Sequence, residues 1–133
     1  MCLNLVAKKS QEEDIKCYKV LTRTEDGKTL LSPVFSTMTW EVGKTYHLGV
    51  NKPHLSYDEY YIEGNAFHTF EDRNDAEKFK CSFRPLPGHV NVVAECTIPK
   101  SSKFLYTGVT SLVSWPFYEK GYASEALRID KIL

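Results

Sequence analysis

A chain of 133 residues with Lys+Arg and Asp+Glu balanced at 17 each has no net field to gather nucleic acid or an acidic membrane surface. Its 42% apolar content is enough for one core, and no run approaches the roughly 20 apolar residues that span a bilayer. These bounds describe a single domain over residues 1–133, make a membrane partner unexpected and leave nucleic-acid contact only to a local patch.

Met1–Ala7 is apolar but too short for a signal-peptide core, and no basic region precedes it. It reads as an edge strand, and the expected location is the cytoplasm, including a host cytoplasm if the source is viral. After a charged link from Lys8 to Asp14, which allows one helical turn begun by Ser10, Ile15–Arg23 reads as a central strand because its apolar positions occupy both faces. Glu25-Asp26-Gly27-Lys28 is a hairpin turn, Thr29–Ser32 returns, and Pro33 ends the pairing. Residues 34–40 read as a loop or irregular strand, and 41–47 as a turn entering a strand. Residues 49–61 read as a long surface loop, whose Tyr57, Tyr60 and Tyr61 either line a groove or pin the loop to the core.

Gly64 and Asn65 make a turn into the extended segment Ala66–Phe70. Asp72 stands at a helix N-cap with Asp75 at the capping-box position, and Ala76 and Phe79 share the inward face of about two turns of helix. Pro85-Leu86-Pro87-Gly88 turns the chain into His89–Ile98, a strand with Val90, Val92, Ala94, Cys96 and Ile98 on one face. A strand follows over 103–109, then a loop over 110–121 carrying Trp115 and Phe117, and a last strand over 126–133. Ser124 and Glu125 allow a helical turn before it. Roughly six to eight strands joined by hairpins, with one or two short helices, make the expected fold class α+β and mostly antiparallel.

His68 is the residue that most invites chemistry. It is either a general acid/base at a strand end or a partly buried imidazole packed beside Phe70, and no second catalytic residue stands at a diagnostic spacing. Glu71, Asp72 and Asp75 crowd the following helix start and disfavour an anion there. Cys2, Cys17, Cys81 and Cys96 are scattered with no Cys-x-x-Cys pair, as expected of reduced structural cysteines, and no metal is expected. Phosphate-loop, dinucleotide, zinc-protease and nucleophile-elbow motifs are absent. Lys100-Ser101-Ser102-Lys103 is a small basic loop that reads as a solvated turn or a phosphate contact, and Lys100 and Lys103 with Tyr106 make a third reading, a nucleic-acid contact.

Several segments carry a resemblance: Cys17-Tyr18-Lys19-Val20, Gly64-x-Ala66-Phe67-His68-Thr69-Phe70 with the alanine-bearing helix, Val92-Val93-Ala94-Glu95-Cys96, and Ala123-Ser124 with Ile129 and Ile132. Together they resemble a family of small uncharacterised bacterial and phage domains, which implies no established activity. More remotely, Phe67-His68-Thr69 is similar to a segment of the ADP-ribosyltransferase-like fold. That resemblance implies an NAD site with Tyr18 and Lys19 in the first strand, His68 and Thr69 in the second, and Glu95 or Glu125 as the late acid.

The expected function is a non-enzymatic binding or accessory domain without cofactor, of the kind a phage-type regulatory or inhibitory protein uses on a protein or small ligand. Tyr60, Trp115 and Phe117 are the candidate partner contacts. The alternative is a diverged NAD-binding enzyme using Tyr18, Lys19, His68, Thr69 and Glu125.

Overall fold

The computed structural model describes residues 3–32, 39–57, 61–82, 84–110 and 119–133. Among these, the strands are β1 (Leu3–Lys8), β2 (Ile15–Arg23), β3 (Leu30–Leu31), β4 (Thr39–Trp40), β5 (Thr45–His47) and β6 (His54–Leu55), then β7 (Tyr61–Gly64) and β8 (Phe67–Phe70). Helix α1 (Arg73–Lys80) precedes β9 (Val90–Ile98), β10 (Leu105–Thr110), β11 (Glu119–Ser124) and β12 (Ala126–Ile132).

The strands form one sheet in the order β5-β12-β9-β2-β8-β11-β10-β1-β7-β6, with β3 attached to β2 and β4 to β3. Every neighbouring pair is antiparallel. Strand makes up 50% and helix 8%, so the fold is largely β and the α+β expectation is overturned. The physical reason lies in the two places where the sequence allowed extra helix. The 8–14 link makes only bends after β1, and Ser124 belongs to β11 with Glu125 as the break before β12. Short strand β6 also stands inside a segment that reads as a loop, and β4 inside one that reads as a loop or irregular strand, because pairing partners supplied by the fold made up for weak local pattern.

β2 and β9 are the spine, paired residue for residue from Ile15↔Ile98 to Arg23↔Val90. Period-two alternation sends Cys17 and Leu21 of β2, with Val92, Ala94, Cys96 and Ile98 of β9, into the larger core. That core also takes Trp40, Phe67, Leu105, Tyr122, Leu127 and Ile129, so strands from β12 through β10 contribute to it. The opposite face buries Val20 and Val93 under Phe70, Ala76 and Phe79. Burial on both faces explains why β2 shows mixed rather than alternating hydrophobicity.

Helix α1 forms where its caps dictate. Asp72 is extended (φ −115°, ψ 135°), and its carboxylate accepts from the Asn74 N–H at 2.8 Å. Asp75 lies in the first turn and Lys78 and Lys80 in the last, complementing the helix dipole. Phe79 packs 5.4 Å from Phe70, ring centre to ring centre. Burial of a phenylalanine of this kind contributes about 2–3 kcal/mol, which fixes so short a helix on the sheet.

Two features divide the sheet. β2 and β8 meet at a single bridge, Tyr18↔Phe70, and β11 passes into β12 across the lone residue Glu125. β12 pairs in the part containing β5, β9 and β2, while β11 pairs in the part containing β8 and β10. The two candidate acid/base groups fall on these two junctions.

Candidate functional site

At the first junction the ladder stops after Tyr18↔Phe70, although continued register would set Lys19 against Thr69. Lys19 instead sends its Nζ to the His68 carbonyl oxygen at 2.9 Å. The same ammonium stands 5.7 Å from the Trp40 ring centre. Burial holds the Lys19 pKa below the usual lysine range, with the neighbouring Cys96 and Cys17 pulling the other way. Burial, and then the Lys19 cation, push His68 down to about 3, so its imidazole is neutral at physiological pH. Among the described residues, His68 Nδ1 and Thr69 Oγ1 are buried without a hydrogen-bond partner. Tyr18 is on the other face of β2, packed against Val20, Phe70 and Phe79.

Lys19 therefore meets His68 through its main-chain carbonyl, Thr69 follows in β8 with its side chain on the opposite face from the imidazole, and Glu125 is not part of this group. Its side chain is fully buried at the second junction, where its oxygens accept from Gly49 N–H at 2.8 Å, from Lys103 N–H at 3.1 Å and meet His47 Nδ1 at 3.3 Å. Desolvation pushes this carboxyl up, but the bonds from Gly49, Lys103 and His47 outweigh it and hold the pKa below the usual range. Its backbone is engaged as well: Glu125 N–H donates to Ser102 Oγ, and Glu125 C=O accepts from Leu48. The other late acid, Glu95, faces Lys16 at 3.4 Å and Lys131 at 3.7 Å.

A groove of about 410 Å³ lies at the β6 end of the sheet, lined by Lys52, Pro53, His54, Leu55, Ser56, Tyr57 and Asn65. Tyr57 is fully exposed, and Asn65 takes the left-handed backbone conformation (φ 56°) that asparagine tolerates better than most residues. Tyr60, Trp115 and Phe117, the expected partner contacts, lie outside the described residues.

No family model, curated protein or solved structure matches this chain.

The chemistry open to the first junction follows from its protonation states. A neutral, desolvated His68 beside a cation is a poor proton acceptor, and the Lys19 ammonium is occupied in closing the His68 carbonyl left over where the ladder splays. The junction thus acts as a cationic cap on an interrupted ladder. Tyr106, considered as a nucleic-acid contact, packs edge-on against Phe104 at 6.0 Å, and Lys103 lends its backbone to Glu125. Among the described residues no group of three or more His, Cys, Asp or Glu side chains is placed to hold a metal, and no helix is long and apolar enough to cross a membrane.

Lys52 and His54 are groove residues that the sequence left unmarked. The only signal was their position, either side of Pro53 in a segment with little hydrophobic pattern. Tyr57 was marked, and it stands on the groove rather than on the core.

Proposed function

We propose that this chain is a non-enzymatic binding domain that engages a protein or small ligand through the groove at β6. One contrast carries the reading: Tyr57 stands fully exposed on a groove with Lys52 and His54, while Lys19 and Glu125 are spent on internal bonds. Exposed aromatic and basic side chains around a concavity are the usual material of recognition. A phage-type regulatory or inhibitory role in a cytoplasm belongs to this reading and rests on the resemblance described from the sequence.

The second reading is a diverged NAD-binding, ADP-ribosyl-transferring enzyme. Its support is the neighbourhood of Lys19, His68 and Thr69. Against it stands the late acid, since Glu125 is fully enclosed and Glu95 is paired with two lysines.

Thermal melting with NAD, ADP-ribose, nucleotides and cyclic nucleotides separates the two. A ligand at a hundredfold over its dissociation constant adds about 2.7 kcal/mol, a shift of several degrees. A shift with any of these that Tyr57→Ala abolishes, without NAD turnover, supports groove binding. NAD turnover lost in His68→Ala, with Tyr57→Ala fully active, overturns it in favour of the enzyme. If the small molecules are silent, partner capture by wild type and by Tyr57→Ala decides: equal capture by both removes the groove from the binding reading.

A further inference from the structure

Cys17 and Cys96 are 0% exposed, and they stand directly opposite each other in the β2–β9 ladder. Both project into the larger core, and both are free thiols. Opposed residues in an antiparallel ladder have Cα atoms about 4.5 or 5.5 Å apart, depending on whether the pair exchanges backbone hydrogen bonds. Disulfides span Cα separations of about 4.4–6.8 Å, so either kind of pair fits without backbone movement. The side chains share one face, so the Cβ vectors run side by side rather than apart. The ladder on both sides is unbroken, from Lys16↔Thr97 to Tyr18↔Glu95 and beyond, which holds the register on which the match depends.

We propose that Cys17 and Cys96 form a cross-strand disulfide when the chain folds in the presence of a small-molecule disulfide oxidant. One cysteine, as thiolate, attacks a sulfur of the oxidant and expels one thiolate, leaving a mixed disulfide. The second cysteine, as thiolate, attacks the protein sulfur of that mixed disulfide and expels the other. The two protein thiols lose two protons and two electrons, and the oxidant's disulfide is reduced to two thiols.

The folded chain decides when this happens. The neighbouring Cys17 thiol, together with burial, pushes the Cys96 thiol well above the usual cysteine range, and the Cys96 Sγ–H donates to the Ala94 carbonyl oxygen at 3.6 Å. A buried, protonated thiol is a poor nucleophile, so the finished reduced fold resists exchange and the bond forms during folding. Once made, it closes a loop from residue 17 to residue 96 that contains α1, the groove segment and strands β7 and β8.

The test uses the full chain with Cys2→Ser and Cys81→Ser, so that only the proposed pair remains. Reduced, denatured protein is refolded in oxidised and reduced glutathione, then assayed for free thiols, intact mass and melting temperature with and without reductant. The expected product has no free thiol, no glutathione adduct, a mass about 2 Da below the dithiol, and a melting point several degrees higher than after reduction. The wild-type chain, digested after the same refolding, should yield the linked Cys17 and Cys96 peptides, which guards against a folding defect in the variant. Two free thiols after oxidative refolding, adducts at single cysteines, linkage to Cys81, or a melting point that rises on reduction would each overturn the proposal.

Discussion

His47 Nδ1 lies 3.3 Å from Oε1 of Glu125, joining the half-exposed edge strand β5 to a carboxylate that has no accessible surface. The contact is one of three on that carboxylate, and the other two come from backbone amides in separate loops. Glu125 thus ties β5, the 47–49 segment and the 100–104 turn to the point where β11 becomes β12.

Removal of that tie is expected to be costly. Glu125→Ala orphans the Gly49 and Lys103 amides at about 1–3 kcal/mol each. Glu125→Gln keeps an acceptor but loses the charge, and should fall between Ala and wild type. Urea denaturation of the three proteins at pH 7 measures the order. Equal midpoints for Glu125→Ala and wild type would contradict the structural role.

The same carboxylate predicts an acid limb. Its folded pKa is below the ordinary value of 4.5, so its contribution is fully present above that value and is lost as pH falls through the lower folded pKa. Glu125→Gln should flatten the stability profile below about pH 4.5 and leave its neutral region parallel to wild type.

His68 acts at higher pH with the same sign. The unfolded chain takes up a proton near 6.5, while the folded imidazole refuses it until about 3. Stability should therefore drop as pH falls from 6.5, by up to about 1.4 kcal/mol per pH unit. His68→Gln should remove this slope, and the imidazole signals of wild type should show one histidine still neutral at pH 5. A His68 that titrates near 6.5 in the folded protein would refute the burial argument.

Lys19→Met probes the cap on the splayed ladder. Loss of a hydrogen bond from a charged group costs about 1.5–3 kcal/mol, against which stands relief of the cation's desolvation, so a net loss of about 1 kcal/mol is expected at pH 7. Wild type should also gain stability as pH rises toward 10.5, because the folded lysine releases its proton before the unfolded one does. That alkaline gain should vanish in Lys19→Met.

Helix α1 can be tested apart from both junctions. Asp72→Ala removes the bond to Asn74 N–H and should cost about 1 kcal/mol. Phe79→Ala empties the contact with Phe70 and Val93 and should cost about 3 kcal/mol or more. Hydrogen exchange should then rise first in 73–80 while the β2–β9 ladder stays protected.

Local chemistry alone determined several elements of this protein. The Asp72 cap, the inward pair Ala76 and Phe79, the two-faced strand Ile15–Arg23 and the alternation in His89–Ile98 are written in neighbouring residues. Capping, period and turn preference act over a few positions. The sequence also placed Lys19, His68 and Thr69 in one resemblance, and in the fold Lys19 reaches the His68 carbonyl while the His68 and Thr69 side chains face opposite ways. Glu125 was grouped with them, yet the turn at 100–104 and the amide of Gly49 claimed it instead. Nothing near Glu125 in the chain announces those partners, which are more than 20 positions away. The strand count, the short pairings of β4 and β6 and the alignment of Cys17 with Cys96 were likewise decided by tertiary structure. Ladder register and burial depend on which distant segment lies alongside, and that choice is made by the whole sheet at once.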